Sequence, residues 1–463
     1  MNVQPARRPR VLFICADPVG ERMAGLGIRY SELAAVLATH AEVTVAHGGQ
    51  SAEPLPSGAS TLPYAPHDPS ALRAPIAAAD VVVAHPQWPL VTRWLRRSSA
   101  RVIFDLYDPE TLETLELLAG ERPLVRRLMN SATLDRLHDA LRTGHHFMCA
   151  SEKQRDLWLG ALLALRGIDP LTYDADPSLR SIIDAVPFGV PAEPPPASAA
   201  GPGPRERFPQ LGGDEEIMLW NGGLWRWLDP ETAIRAVAAL QRRRPSVRLV
   251  FMGGSDQPAA VEATKRARAL ARDLGVLDHS VLFNPGWVPY AERAGWLAQA
   301  SCALATHPDH LETRFAFRTR LLDCFWAGVP VVCTQGDDLA DRVEREGLGA
   351  TAPPGDDEAV AAGIERVLDG DRGAFAGPLA SAAADHVWPR VAAPAGAVDD
   401  GARARCPPPR TRRTDRRASR PHNRVPARRA SPPGPPRARL NHPARAGQER
   451  SAGWRPGASG RRS

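Results

Sequence analysis

No part of this 463-residue chain stays apolar for long. Its longest apolar runs, such as residues 11–16 and 81–84, have the length of a strand. A membrane-spanning helix needs about 20 such residues, so an integral membrane protein is excluded. The basic first residues carry no apolar core of the kind a secretory leader has, and the expected location is the cytoplasm, up to the inner face of the membrane. Cysteine is sparse too. The six residues (15, 149, 302, 324, 333 and 406) form no CxxC and no paired spacing, which argues against a zinc site or a disulfide framework. Lysine is almost missing: of 58 basic residues only Lys153 and Lys265 are lysines.

What charge there is lies unevenly. Residues 401–463 hold 18 arginines against Asp415 and Glu449, a surplus of +16, so the preceding 400 residues carry about −10 of the net +6. That segment also has 11 prolines and few large apolar residues. Burial there cannot offset the entropy of ordering, and a disordered basic tail is expected over 395–463. An arginine-for-lysine bias fits a GC-rich coding sequence, and such DNA translated out of frame also yields Arg, Pro, Ala and Gly. A frameshift near Ala395 is therefore one reading of the tail; a natural basic tail that binds nucleic acid or anionic lipid is the other.

The body alternates strand-like and helix-like segments. Strands are expected at 10–16, 42–46, 81–84, 102–106, 147–150 and 182–186. After a Pro/Gly-rich linker they resume at 217–220, 247–251, 281–283, 302–305 and 329–333. Helical periods lie between them, one opening at Pro230 behind Asp229 as N-cap. Strand–helix alternation means parallel sheets, here two Rossmann-like α/β domains facing across a cleft. The expected divisions are 1–190, a linker at 191–213, 214–375, and the start of a helix crossing back at 376–394.

Four stretches carry polar chemistry at expected strand ends. DPVGERMAGLGI (17–28) has Gly25 and Gly27 before a helix, which suits a phosphate or acceptor loop and equally an ordinary flexible turn; it is not a GxGxxG fingerprint. WNGGLWRWLDP (220–230) offers Gly222 and Gly223 for close backbone approach to a phosphate, Arg226 as a cationic fork, and Trp225 and Trp227 as walls. THPDHLETRFAFRTR (306–320), leading to Asp323, gathers Glu312, Arg318 and Arg320. The arginines can neutralise a diphosphate, while Glu312 or Asp323 can hold ribose hydroxyls. His307, His310 and Glu312 match no common zinc spacing, and no metal is expected. The fourth set is His85 in VVVAHPQW with Asp105, Tyr107, Asp108 and Glu110 in FDLYDPE. There Asp108 reads as an N-cap before Pro109 or as a carboxylate orienting a sugar.

With AHPQW, CASEKQRDLW, VPFGV, NGGLWRWLDP, RLVFMGG and DCFWAGVPVV in this order, residues 10–390 resemble the family 4 retaining glycosyltransferases of GT-B fold. DCFWAGVPVV matches that family's EAMAxGxPVV, and 187–190 falls where it has PNGVD. The resemblance implies a nucleotide-sugar donor, a saccharide or lipid-linked acceptor, retention of configuration without a metal cofactor, and work in cell-envelope polysaccharide or glycoconjugate synthesis. It implies Glu312 facing the transferred sugar, Gly222, Gly223 and Arg226 on the donor phosphates, Asp323 on the ribose, and Gly25 and Gly27 as the acceptor loop; Arg318 and Arg320 are expected as further donor contacts, and His85 and Asp108 of the fourth set join Glu312 as the expected catalytic residues. It also sets backbone near Leu339 against the diphosphate.

Three departures stand out. Ten residues rather than seven separate Glu312 from Asp323, with Phe315 at the strict position; the family's lysine is missing, leaving Arg318 or Arg320 to substitute for it; and its histidine is either replaced by Tyr107 or shifted. A divergent subgroup with an altered donor clamp is the expectation. A sugar-nucleotide epimerase of the same build and a non-catalytic sugar-nucleotide binder are the alternatives. Nucleic acid is not expected as a partner of the body. Arg122, Arg126, Arg127, Arg136 and Arg142 before His145 suit peripheral contact with an anionic bilayer, and equally a plain solvated face.

Overall fold

The computed structural model describes residues 7–393 apart from 22, 51, 166, 196–201, 255 and 256. The expected tail and its proposed frameshift point lie outside the described residues. Seven parallel strands make the first sheet: β1 (Arg10–Cys15), β2 (Glu42–His47), β3 (Ser60–Pro63), β4 (Val81–Ala84), β5 (Arg101–Asp105), β6 (His146–Cys149) and β7 (Ile183–Ala185), in spatial order β3-β2-β1-β4-β5-β6-β7. Six make the second: β8 (Glu216–Trp220), β9 (Val247–Phe251), β10 (Val281–Phe283), β11 (Cys302–Ala305), β12 (Val331–Thr334) and β13 (Gly349–Ala352), ordered β10-β9-β8-β11-β12-β13. Both strands next to the order reversal, β1 and β8, are buried nearly throughout, because helices cover both faces of each sheet.

The strand order turns around between β1 and β4 in one lobe and between β8 and β11 in the other. Loops leaving the C-terminal ends of strands on either side of such a point must diverge to opposite faces of the sheet, and the crevice between them is where ligands bind. All four polar stretches singled out above leave strand ends: β1, β4 and β5 in one lobe, β8 and β11 in the other. Two strands, β3 (STLP) and β13 (GATA), went unseen in the sequence because neither contains a run of large apolar residues.

The chain returns to the first lobe at its described end. Helix Arg372–Ala384 packs on helix Thr319–Trp326, and the next residues pair with the exit from β7. The Val190 amide donates to the His386 carbonyl at 2.7 Å, and the Trp388 amide to the Val190 carbonyl at 3.0 Å. The short helix Trp388–Val391 then lies against helix Gly25–Leu37 of the first lobe. Gly189 makes this possible, since a Cβ there would sit 2.6 Å from the Trp388 ring.

Candidate active site

The cleft between the lobes contains a cavity of about 530 Å³. From the first lobe it is lined by the loop after β1 (Asp17, Gly25), His85 after β4, and Asp108, Glu110 and Glu113 after β5. Residues of the second lobe complete it: Asn221–Gly223, Trp225 and Trp227 after β8; Trp287, Tyr290 and Arg293 after β10; and Glu312, Arg318, Arg320 and Asp323 after β11. Six stretches of separate origin in the chain, three from each lobe, are thus brought to one space.

Arg320 is the most exposed to demand for an anion. Its guanidinium stands against the Gly222–Gly223 turn, with Nη2 3.4 Å from the Gly223 carbonyl and the Trp220 ring 5.3 Å below. Nη1 is buried and has no partner. Burial and the neighbouring Arg318 charge pull its pKa down to about 10, so it remains a cation at neutral pH, and among the described residues no carboxylate pairs with it. The turn itself needs glycine: Gly222 has φ +132°, a conformation L side chains rarely adopt. Asn221 fixes the base of the Arg320 helix through Nδ2 to the Arg320 carbonyl at 2.7 Å, leaving its buried Oδ1 open.

Glu312 and Arg318 use their charges on each other. Both Arg318 terminal nitrogens donate to the Glu312 carboxylate, at 3.2 and 2.9 Å, and Asp337 lies 3.8 Å from Nε. The expectation of Arg318 as a free phosphate cation is thereby corrected: a bidentate buried pair holds the loop after β11 rigid. Glu312 touches the cavity only as the anionic half of that pair. His310 also acts locally, its Nδ1 accepting the Thr313 amide as N-cap of helix Leu311–Phe315.

Arg226 is corrected as well. It does not line the cavity; its guanidinium crosses to the first lobe, where a Cβ on Gly120 would lie 2.6 Å from Nη2. Gly27 likewise serves packing, because a Cβ there would be 2.5 Å from the Pro18 carbonyl oxygen, and it does not line the cavity. Gly25 does, at the start of a helix whose first turn has no side-chain cap. The Leu339 amide is occupied by Asp337 Oδ1 at 2.9 Å, so it caps its own helix and is not free for a diphosphate.

Asp108 is no N-cap either. Helix Glu110–Leu117 is preceded by Pro109, without a side-chain cap. Instead, the Asp108 carboxyl takes a hydrogen bond from the Tyr107 hydroxyl, while burial raises its pKa to about 7. Glu113, one helical turn on from Pro109, is pushed well above the usual carboxylate range by burial and by the charges of Asp108 and Glu312. His85 stays neutral: burial, with the Arg136 charge behind it, lowers it to about 4. Trp225 and Trp227 stack at 5.4 Å; both line the cavity and both also pack against the hydrophobic core of the second lobe.

Several residues that organise the site went unnoticed in the sequence. Arg293 donates from Nε to Asp323 Oδ1 at 3.2 Å and lies between the rings of Tyr290 and Trp326. The fully buried Arg29 pairs with Asp105 at 2.6 Å and ties the Val186 and Pro187 carbonyls to helix Gly25–Leu37. Gln154 bridges the lobes, its Nε2 donating to the carbonyls of Tyr107 (2.7 Å) and Phe315 (2.8 Å). Only Gln154 lay in a motif already quoted, CASEKQRDLW.

Residues 215–370 match the family described as Glycosyl transferases group 1. WaaG, a glycosyltransferase involved in lipopolysaccharide biosynthesis, superposes with a TM-score of 0.58 at 18% identity, over 84% of this chain and 99% of its own. Sucrose-phosphate synthase from Thermosynechococcus elongatus gives 0.61 at 18%, over 86% and 100%. Anabaena HepE in complex with UDP-glucose gives 0.60 at 13%, also over 86% and 100%. The fold is GT-B. No curated protein matches the chain by sequence. In this GT-B chain the group 1 match falls on the second lobe, from the approach to β8 to the helix after β13, and so includes Gly222, Gly223, Arg320 and Asp323. Among the described residues no helix is long and apolar enough to cross a membrane, and no group of His, Cys, Asp and Glu is placed to hold a metal ion.

Proposed function

We propose that this cleft transfers a sugar from a nucleotide-sugar to an acceptor hydroxyl with retention of configuration, in the synthesis of an envelope polysaccharide or glycoconjugate. The observation that carries the reading is the unneutralised Arg320 over the Gly222–Gly223 turn, at the switch point of a lobe that matches the group 1 glycosyltransferases. Kinship of fold with HepE, crystallised with UDP-glucose and with UDP and glucose, supports the donor class.

In this reading the diphosphate rests against the Gly222–Gly223 backbone and takes its counter-charge from Arg320. Asp323, held by Arg293, receives the ribose hydroxyls. Charge developing on the leaving phosphate is stabilised by a cation already in place, which costs no reorganisation during the reaction. The acceptor lies toward Asp108 and His85 and attacks from the face the phosphate leaves; its proton passes to a departing phosphate oxygen. The two lobes exclude water, so transfer outruns hydrolysis. The chemistry asks for no metal, since Arg320 supplies the positive charge.

A thermal-shift screen with UDP, GDP, TDP and ADP, followed by a transfer assay over the matching nucleotide-sugars, tests this. One diphosphate should raise Tm through binding to the folded state. Arg320→Ala should weaken that binding by about tenfold to a hundredfold, the worth of one hydrogen-bonded charge. Unchanged affinity in Arg320→Ala would remove the phosphate role. Binding without turnover on any acceptor would leave a sugar-nucleotide binder, and deuterium uptake from solvent without an acceptor would point to the epimerase.

A further inference from the structure

The turn after β4, AHPQW, is held more firmly than an ordinary loop, and the transferase reading draws only on His85 from it. Gln87 is buried and closes the turn, its Nε2 donating to the His85 carbonyl at 3.1 Å and meeting His85 Nδ1 at 3.2 Å. Thr92, in the following helix Pro89–Arg97, donates from Oγ1 to the Gln87 carbonyl at 3.1 Å, and its amide donates to the Trp88 carbonyl at 3.1 Å. His85 and Pro86 line the cavity. Trp88, at the head of the helix, is 52% exposed.

Trp88 is exposed without being loose. Arg136 lies over its ring, 4.6 Å from the centroid. That arginine is itself fixed: it pairs with Glu110, which lines the cavity, and its Nη2 donates to Thr133 Oγ1 at 3.5 Å. Arg136 therefore belongs to the body of the lobe, not to a solvated or bilayer-facing side. With one face of the indole under a guanidinium, the exposed half is the opposite face and its edge. A ring pinned this way offers a flat apolar surface and an N–H donor, at little entropic cost to whatever settles on it.

The surroundings select the occupant. On this turn and the helix after it, only Trp88 and Leu90 are large, apolar and exposed, too few to make an apolar docking face. The border of the indole is instead an ion pair. A pyranose ring matches both parts: its C–H face suits the indole, and its hydroxyls suit the Glu110 carboxylate and the Arg136 guanidinium. We infer that Trp88 is the platform for a second sugar ring of the acceptor, seated just outside the cavity. This rests on the transferase reading proposed above, in which the ring that receives the transferred sugar lies inside, toward Asp108 and His85. Glu110 faces the cavity and also holds the arginine against the indole, so the two subsites share a wall. The acceptor is then an oligosaccharide of two or more units, recognised by its last two rings.

Titration calorimetry of the full chain with matched sugars tests this: glucose against maltose and cellobiose, mannose against α-1,2-mannobiose, and N-acetylglucosamine against chitobiose. At least one disaccharide should bind about fivefold to tenfold more tightly than its monosaccharide, the scale of one aromatic contact. Trp88→Ala should abolish that gain, and Trp88→Phe, which keeps a ring to stack, should retain most of it. In the chain labelled with 5-fluorotryptophan, the resonance missing from Trp88→Phe should shift with that disaccharide and stay in place with the monosaccharide. No gain from a second ring in any pair overturns the inference. So does an equal gain in wild type and Trp88→Ala, or an unmoved resonance. A concentration-dependent dimer lost in Trp88→Ala, with no response to disaccharide, would make the ring an interface between copies and overturn it too. The nucleotide thermal shift of the wild type is read separately. A shift without a second-ring gain strikes the platform alone, and a second-ring gain without any shift strikes the transferase reading alone.

Discussion

Asp108 carries a proton where an ordinary aspartate has lost it. Its pKa rises from 3.8 to about 7 because burial disfavours the charge and Asp105 adds to the penalty, against the bond from Tyr107. Between pH 4 and 7 the folded chain therefore holds a proton that the unfolded chain has released. Stability from this group is complete below about pH 4 and is lost as the pH rises through 7. Urea unfolding at pH 5 and pH 8 should show the lower value at pH 8, and Asp108→Asn should reduce the difference; an identical difference in the variant refutes the assignment. At this scale the sequence disclosed which residues approach the cavity, since strand ends can be located from apolar runs. It did not disclose their partners. Arg318 and Arg226 looked like free cations because nothing in the local pattern showed that Glu312, six residues earlier, or Gly120, over a hundred residues away, would meet them. Arg29 and Arg293 were invisible for the same reason: each sits inside a helix and finds its carboxylate only after the strands assemble.

Between residues and lobes stand the elements, and here the periodicity was informative. Strands such as β4 and β11 are continuous apolar runs because a parallel sheet is covered on both faces. Helix Pro230–Leu240 begins where Asp229 and Pro230 place it, with Asp229 Oδ1 accepting the Thr232 amide at 3.0 Å. Short strands of small residues, β3 and β13, lacked that signal, and their place comes from pairing with β2 and β12. The crossing element near 388 depends on one glycine. Gly189→Val should drive the Trp388 ring from its seat on Phe188, now 5.0 Å between centroids. Overpacking at such a contact costs about 1–3 kcal/mol. Denaturant unfolding should register that loss, and Gly189→Ala a smaller one; no loss in either would show the contact to be dispensable.

For the whole molecule the central quantity is how firmly the lobes hold together. Gln154 donates to one carbonyl in each lobe, Lys153 beside it reaches Asp338 at 2.8 Å, and the Tyr290 hydroxyl donates to Glu32 at 3.4 Å. Gln154→Ala leaves the buried Tyr107 carbonyl and the half-buried Phe315 carbonyl without this donor, the buried one worth about 1–3 kcal/mol. Small-angle scattering of this variant without nucleotide should give a larger radius of gyration than the wild type. Identical scattering would mean that the lobes are held by packing alone. The two-domain plan could be read from the doubled strand–helix alternation and the proline-rich stretch between its halves. The cross-lobe contacts could not, because each joins residues distant in sequence by an ordinary polar side chain.

The pairing of Val190 with Val387 sets what kind of motion the cleft allows. Two passages of the chain between the lobes meet there side by side, bonded to each other in both directions. A single tether would let the lobes twist freely about it. A double one resists torsion and leaves a bend, so the jaws part along one arc and return in register. A ligand released and replaced thus meets the same two walls, facing each other as before.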